Sequence, residues 1–149
     1  MRAVLQRVSR ARVVVDGKII GEIGPGLVVL IAVGRDDVST TAASMAEKIV
    51  NLRIFSDEQG KMNRSVLDTG GAILAISQFT LFGDARGRRR PSFIQAAPPE
   101  SGKVFYDEFV AALRALGARV ETGVFQAHMS VALTNDGPVT ILLDSEKVF

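Results

Sequence analysis

The sequence predicts an α+β fold in which a mixed, largely antiparallel sheet curls into a barrel-like arrangement beside two main helices. The chain has 149 residues and is 47% hydrophobic, which suits one substantial core but not two, so residues 1–149 are expected to form a single domain. Three apolar segments open the chain, and only two later segments have helical periodicity. Because strands and helices do not alternate regularly, a doubly wound parallel sheet is disfavoured.

The opening segments predict three strands. Residues 2–15 and 18–23 flank the Asp16-Gly17 pair, which is favoured in two-residue hairpin turns, so these segments are expected to pair antiparallel. A Gly-Pro-Gly turn signal follows, and residues 27–33 are then apolar at every position. This pattern is typical of a strand that is buried on both faces at the centre of a sheet.

The middle of the chain predicts the first helix and a further buried strand. From Ser39 or Thr40, either of which is a suitable N-cap, apolar residues recur at helical spacing. Residues 53–55 predict a short strand, and residues 72–80 predict a longer buried one. The motif Ser-Gln-Phe-Thr-Leu at 77–81 is therefore expected at the C-terminal end of a strand.

The last third predicts the second helix and three more strands. Two prolines precede a segment whose apolar side chains face one way, and Gly117 is well placed to end this helix. Residues 120–122 predict a short strand, and residues 129–133 and 139–143 predict the two final ones. The Asn-Asp-Gly-Pro sequence at 135–138, which joins them, has the composition of a turn.

Composition excludes several kinds of site. The chain contains no cysteine and a single histidine, His128, which excludes disulfides, thiolate catalysis and multi-histidine metal centres. The net charge is only +2, so any nucleic-acid contact has to come from local clustering. No apolar run approaches the roughly 20 residues of a membrane helix, so we expect a soluble, cytoplasmic protein without membrane contact.

Two motifs and the N-terminal run together resemble one enzyme family. The motifs are Ser-Gln-Phe-Thr-Leu at 77–81 and Asn-Asp-Gly-Pro-Val-Thr at 135–140, and the run is Met-Arg-Ala-Val-Leu-Gln-Arg-Val at 1–8. Either motif alone is ordinary strand or turn chemistry, but their order and spacing are similar to those of the D-aminoacyl-tRNA deacylases. The resemblance covers essentially the whole chain. It implies a homodimer that hydrolyses the ester between a D-amino acid and the 3′-terminal adenosine of tRNA, without a metal or organic cofactor.

The resemblance gives the 135–140 motif a role in selecting the substrate. In the family the Gly137-Pro138 peptide is cis and reaches into the active site of the other subunit, whereas local sequence alone favours trans. Such a peptide presents two carbonyl groups to the substrate ammonium and leaves no room for an L side chain. Because glycine has no Cβ to exclude, glycyl-tRNA is an expected substrate as well. The resemblance also places Arg7 beside this element as a residue that orients the carbonyls; an exposed strand residue is the alternative.

The 77–81 motif is the expected place of the chemistry. Thr80 has no adjacent base, so it is expected to shape the pocket and donate a hydrogen bond near the ester rather than attack. The backbone amides of Phe79 and Thr80 are expected to stabilise the oxyanion. Ser77 and Gln78 suit recognition of the terminal ribose and adenine, although both also suit the end of a strand.

A dense basic patch follows the 77–81 motif. Arg86, Arg88, Arg89 and Arg90 lie together in a glycine-containing loop. Charge runs of this kind are often only solvated loops, and that alternative stays open. Beside a site that accepts the 3′ end of tRNA, guanidinium groups suit phosphate contact, so Arg88, Arg89 and Arg90 are candidate tRNA-binding residues.

Two other functions stay open. A related deacylase of mischarged L-alanyl-tRNA shares the Gly-Pro sequence but typically has proline where Ser77 stands. A tRNA- or DNA-binding module without catalysis also fits, given the arginine-rich loop and the lack of the usual catalytic side chains. At Gln126 and His128 the chain departs from the family pattern, so that wall of the site is not defined by the resemblance.

Overall fold

The structure is a computed structural model that describes residues 1–87 and 89–149. The described residues form eight strands, two α-helices and one 3₁₀ helix. The strands are β1 Arg2–Val15, β2 Lys18–Ile23, β3 Gly26–Ala32, β4 Phe55–Ser56, β5 Met62–Arg64, β6 Ala72–Ser77, β7 Arg119–Thr122 and β8 Ser130–Asp144. The α-helices are α1 Ser39–Val50 and α2 Pro99–Ala115, and the 3₁₀ helix is Phe79–Phe82.

Strand β1 organises the main sheet. One of its edges pairs antiparallel with β3 over residues 2–8 and then with β2 over residues 11–15. Its other edge pairs antiparallel with β8 over residues 2–14. β6 then adds to β3, and β7 to β6, both in parallel, which gives the order β2-β1-β3-β6-β7 with β8 beside β1. The predicted mixed, largely antiparallel sheet is therefore confirmed.

The sheet nearly closes into a barrel because β2 approaches β7. A Cβ on Gly21 of β2 would lie 2.9 Å from the carbonyl oxygen of Thr122, so this approach depends on the glycine. The enclosed apolar side chains are Val8, Ala11, Val13, Ile23, Val28, Ala72, Leu74 and Ile76. This interior confirms the expected barrel-like arrangement and explains why β3 and β6 are apolar on both faces.

Both α-helices cover the outer face of the sheet. Apolar periodicity predicted the buried face of α1, but for α2 it predicted Phe105, Phe109, Ala112 and Leu116, of which only Phe109 is fully buried and Leu116 is exposed. α1 begins at Ser39, one of the two expected starting points, although Val38 rather than Ser39 or Thr40 is the N-cap. No helix in the described part of the chain is long and apolar enough to cross a membrane. The residues that the helices bury are Ala42, Met45, Ala46, Ile49 and Val50 from α1, and Gly102, Tyr106, Phe109, Val110 and Leu113 from α2. Together with the sheet they form one domain.

A small second sheet differs from the prediction. The expected strand at 53–55 is shifted to β4, Phe55–Ser56, and its partner β5 was not predicted at all. All three residues of β5 are exposed, so its sequence carries no apolar alternation. Strand pairing without burial leaves no signal in a hydrophobicity pattern.

Tyr106 connects α2 to the sheet through a buried hydrogen bond. Its hydroxyl donates to the carbonyl oxygen of Ala75 in β6 at 2.9 Å. Burial of the phenol, with a smaller contribution from the neighbouring Asp107, raises the pKa of Tyr106 to about 12. The neutral phenol is therefore the form that the folded state stabilises.

This pKa can be tested directly because Tyr106 is the single tyrosine and the chain has no tryptophan. In the folded protein, tyrosinate absorbance should develop near pH 12, and in urea near pH 10. The corresponding stabilisation is present below about pH 10 and is lost as the pH rises toward 12. Tyr106→Phe should remove this pH dependence and cost about 1–3 kcal/mol, because the Ala75 carbonyl loses its donor. A midpoint near 10 for the folded protein would contradict the buried environment.

Candidate active site

The 77–81 motif lies where β6 leaves the sheet. Ser77, the last residue of β6, pairs with Ile31, and the Gln78 amide donates to the Ile31 carbonyl at 2.8 Å. β3 ends one residue later at Ala32, so the ladder has no further partner and the chain turns into the 3₁₀ helix. The prediction of a strand over residues 72–80 is therefore wrong beyond Ser77. Thr80 lies in the 3₁₀ helix rather than at a strand end.

The hydroxyl of Thr80 is exposed and contacts an amide rather than a base. Gln78 Nε2 donates a hydrogen bond to Thr80 Oγ1. Within the described part of the chain, no carboxylate or imidazole forms a hydrogen bond with this hydroxyl. Thr80 thus lacks the neighbouring base that a threonine nucleophile requires.

The start of the 3₁₀ helix presents two amide groups. In such a helix each N–H donates to the carbonyl three residues earlier, so the first N–H groups have no partner within it. The amides of Leu81 and Gly83 donate back to the carbonyls of Gln78 and Thr80, at 3.2 and 2.9 Å. The amides of Phe79 and Thr80 precede these and donate to no other described residue. Two adjacent N–H groups of this kind are suitable donors to an oxyanion.

Arg2 holds the 3₁₀ helix against the sheet, a role that no sequence pattern indicated. Its Nε donates to Asp144 at 3.0 Å, and its Nη1 donates to the Leu81 carbonyl at 3.3 Å. The guanidinium lies 4.6 Å from the centroid of the Phe82 ring and 5.7 Å from that of Phe149. These partners are far away in sequence, so only the fold brings them to Arg2.

The 135–140 motif is a bulge within β8 rather than a turn between two strands. Thr140 lies opposite Gln6 and Asn135 lies opposite Val8, so β8 advances from 140 to 135 while β1 advances only from 6 to 8. The extra residues leave the ladder as a bulge. The two final strands expected at 129–133 and 139–143 are therefore one strand, because both halves pair with β1 in the same direction.

Asn135 closes the base of this bulge. Its Oδ1 accepts from the Val139 amide at 2.7 Å, and its Nδ2 donates to the Val139 carbonyl at 3.1 Å. Gly137 and Pro138 are exposed, and the peptide between them is cis, as the resemblance implies. A Cβ on Gly137 would lie 2.9 Å from the Val139 nitrogen, so a larger residue does not fit. Asn135 was not predicted as a site residue, although it belongs to the motif.

Arg7 fastens the bulge to the segment that follows α1. Its Nε donates to the Asp136 carbonyl at 2.9 Å and its Nη1 to the Ile54 carbonyl at 2.7 Å. Only 12% of the Arg7 side chain is exposed. The guanidinium therefore lies beside the bulge, as expected, but it binds the carbonyl before Gly137 rather than those of Gly137 or Pro138.

Within one chain the two motifs are far apart. Three strand spacings, through β3 and β1, separate Ser77 from β8, and the register places Gly137 further along the sheet, level with Arg7. With about 4.8 Å between strands and about 3.3 Å per residue, the separation is roughly 20 Å. The two motifs of one chain therefore lie in different parts of the sheet.

The arginine-rich loop is closed at its base by two hydrogen bonds between the backbones of Asp84 and Ser92, at 2.8 and 2.9 Å. Arg86 turns back onto Asp84, and its hydrogen bonds hold the pKa of that carboxyl well below its usual range. Arg89 and Arg90 are exposed. Arg88, the third predicted tRNA-binding residue, lies outside the described residues.

The remaining candidate positions carry no clear chemistry. Gln126 and His128, where the chain departs from the family pattern, are both exposed in the loop before β8. Among residues 1–87 and 89–149, no three His, Cys, Asp or Glu side chains are grouped as metal ligands. The expectation that no cofactor is needed stays a prediction.

Comparison with known proteins identifies the family. A family model described as D-Tyr-tRNA(Tyr) deacylase matches residues 4–144. The chain belongs to this family. It is 61% identical to a D-aminoacyl-tRNA deacylase of Symbiobacterium thermophilum, over 100% of this chain and 99% of that protein. A D-aminoacyl-tRNA deacylase of Koribacter versatilis is 62% identical, over 100% of both chains.

A solved structure confirms the fold over nearly the whole chain. It is named c-Myc DNA Unwinding Element Binding Protein and has a TM-score of 0.91 at 42% identity. The match covers 97% of this chain and 98% of that one. The family resemblance that the two motifs suggested is thus confirmed by the comparison of sequences, and the fold by the comparison of structures.

The role of Asn135 can be tested by amide hydrogen exchange. Asn135→Ala should speed the exchange of the Val139 amide and lower the free energy of unfolding by about 1–3 kcal/mol, because a half-buried donor and acceptor lose their partner. Asp136→Ala is the matched control, since its side chain is 62% exposed and lies 3.7 Å from Arg7; it should change stability by at most about 0.5 kcal/mol. Unchanged exchange at Val139 in the Asn135 variant would show that the side chain does not close the bulge.

Proposed function

We propose that the protein hydrolyses the ester bond of D-aminoacyl-tRNA, so that water and the ester give a free D-amino acid and uncharged tRNA. The names of the relatives and the family model support this activity. The observation that carries it is that the chain has two features together. One is a 3₁₀ turn that presents two amides, and the other is an exposed Gly-Pro bulge that Asn135 and Arg7 hold in place. An activated ester can be hydrolysed by positioning and oxyanion stabilisation without a strong protein nucleophile.

A second copy of the chain completes the site. A separation of roughly 20 Å between the two motifs favours a site that is shared between two chains over a site within one chain. An apolar patch lies between the two motifs. Val4 is opposite both Leu30 and Leu142, so these three side chains are neighbours on the face of the sheet turned away from the helices. Leu142 is 57% exposed. The proposed two-fold axis passes through this patch, so that Gly137 of each copy faces the 3₁₀ helix of the other in the proposed dimer. The homodimer is therefore part of the proposal.

In this mechanism, backbone groups of the 3₁₀ helix bind the reacting carbonyl. The amides of Phe79 and Thr80 donate to the oxyanion that forms when water attacks the carbonyl carbon. The Thr80 hydroxyl shapes the pocket beside the ester, and the ribose oxygen leaves. Ser77 and Gln78, at the end of β6, bind the terminal ribose and adenine. The 2′-hydroxyl of the substrate assists, since the described residues place no base in contact with the Thr80 hydroxyl.

Selectivity is assigned to the backbone of Gly137 and Pro138 from the second copy. Both residues are exposed at the tip of the bulge, and Arg7 holds its base. A backbone group in the space of an L side chain excludes L substrates by a clash with Cβ. Since glycine has no Cβ, the same element does not exclude glycyl-tRNA, which is proposed as a second substrate.

Parallel deacylation time courses test this selectivity. D-tyrosyl-tRNA and glycyl-tRNA should both be hydrolysed at an enzyme concentration that leaves L-tyrosyl-tRNA and L-alanyl-tRNA intact. Equal rates on the two tyrosyl enantiomers would contradict chiral selection, and rapid loss of L-alanyl-tRNA alone would favour the related L-alanyl deacylase function. Glycyl-tRNA that survives as long as L-alanyl-tRNA would overturn exclusion by backbone.

Substitutions in the 3₁₀ helix separate backbone from side-chain chemistry. Thr80→Ala should retain measurable activity, because the hydroxyl has no base. Phe79→Pro removes one amide donor, and proline is tolerated at the start of a helix. It should lower kcat about 10²–10³-fold relative to the control Phe79→Ala, which also lacks the ring but keeps the amide. Detection by mass spectrometry of a D-aminoacyl ester on Thr80 would instead establish covalent catalysis.

Nucleic-acid binding without catalysis is the second candidate. It is favoured by the name of the structural relative at 42% identity and by the exposed Arg89 and Arg90. The deacylation assay decides between the two functions, since a binding module leaves every aminoacyl ester intact. Localisation in the cytoplasm stays a prediction.

A further inference from the structure

An exposed pair of aromatic rings adjoins the proposed active site. Phe79 is 56% exposed and Phe93 is 36% exposed, and their ring centroids are 5.2 Å apart in an edge-to-face arrangement. Gly83 makes room for this pair, since a Cβ there would lie 3.1 Å from the Phe93 ring. Two phenyl rings that are left in water at the rim of a site indicate a partner with apolar faces.

The pair lies between the site and the exposed guanidinium groups. Phe79 precedes Thr80 directly, and Phe93 follows the hydrogen-bonded base of the arginine-rich loop at Ser92. Arg90 is three residues from Phe93, so their backbones are at most about 11 Å apart. Arg86 forms an ion pair with Asp84, whereas Arg89 and Arg90 form no ion pair among the described residues. Surfaces that bind single-stranded nucleic acid combine aromatic rings, on which bases stack, with cations that contact the phosphates. Both features are present here.

We propose that Phe79 and Phe93 form a stacking platform for the unpaired nucleotides that precede the terminal adenosine of tRNA, with Arg89 and Arg90 at their phosphates. The proposal rests on the proposed function for the identity of the nucleic acid and for the position of its last nucleotide. A strand whose last nucleotide occupies the site has to leave it past the rim, where its bases meet the two rings. Stacking on phenyl faces does not depend on the base, so the platform holds any unpaired 3′ end, while the bases of a duplex are already stacked on each other.

Binding of uncharged RNA tests the platform without any hydrolysis. The probes are two RNA minihelices, one with four unpaired 3′ nucleotides and one blunt. Phe93→Leu keeps an apolar side chain of similar size but removes the ring, and it should weaken binding of the tailed minihelix about 10-fold with an unchanged salt dependence. Binding of the blunt minihelix should not change. Phe93→Trp should restore the affinity, and as the only tryptophan its fluorescence should be quenched by the tailed RNA.

The arginines should respond differently. Replacing Arg89 and Arg90 together with alanine should weaken binding of the tailed minihelix and reduce the magnitude of the slope of its log affinity against log salt by about 1 to 2, with a smaller change for the blunt minihelix, which lacks the unpaired phosphates. An unchanged slope would remove these residues from the proposal.

Two results would overturn the platform. One is equal affinity of the wild type and Phe93→Leu for the tailed minihelix. The other is dissociation of the dimer by Phe93→Leu in sedimentation, which would show that the rings cover a second copy instead. The two proposals can also fail separately. If the wild-type protein hydrolyses no aminoacyl ester, but Phe93→Leu still weakens binding of the tailed minihelix, the proposed function is refuted and the platform stands.

Discussion

The antiparallel pairing of β1 with β8 is the constraint on which the rest of the structure depends. The two strands pair along almost their whole length, and the larger of two irregularities lies between Gln6 and Val8, where β8 contains more residues than β1 can pair. The surplus is expelled as the bulge with Gly137 and Pro138 at its tip. A rigid ladder on both sides of the bulge fixes where these two residues project, since neither half of β8 can slide without moving every side chain to the wrong face.

β1 also holds both parts of the proposed site through two arginines. Arg2, near its start, binds the carbonyl of Leu81 in the 3₁₀ helix, and Arg7 binds the carbonyl of Asp136 in the bulge. Each guanidinium has a second anchor, Asp144 for Arg2 and Ile54 for Arg7. One strand thus positions the two parts of the proposed site at a set distance, which supports the proposal that the site is shared between two copies.

Local patterns in the sequence predicted the elements whose burial is local. The uninterrupted apolar run of β3 and the helical periodicity of α1 and α2 are properties of neighbouring residues, so they could be read directly. The end of β6 at Ser77 could not, because it depends on where β3 stops. The same holds for the bulge, which depends on the register of β8 against β1, and for β5, which is exposed at all three positions.

Only part of the site could be predicted from the sequence, because several of its contacts depend on residues that are distant in the chain. Resemblance to a family located both motifs and the cis peptide, which the local sequence of Gly137 and Pro138 does not favour. The contacts of Arg2 and Asn135 were missed because hydrogen-bond partners leave no trace in composition or spacing. The separation of the motifs emerges only when the register of four strands is known.

Subunit complementation tests the shared site most directly. Phe79→Pro damages the pocket of its own chain, and Gly137→Val damages the bulge that it supplies to the other chain, so each homodimer should be inactive. In an equal mixture after subunit exchange, half of the dimers contain one chain of each variant. Each of these dimers has one intact site, formed by the pocket of the Gly137→Val chain and the bulge of the Phe79→Pro chain. About one quarter of the wild-type activity should therefore return. A mixture that exchanges subunits yet stays as inactive as the separate homodimers would show that both motifs act within one chain, and it would contradict a site shared between two copies.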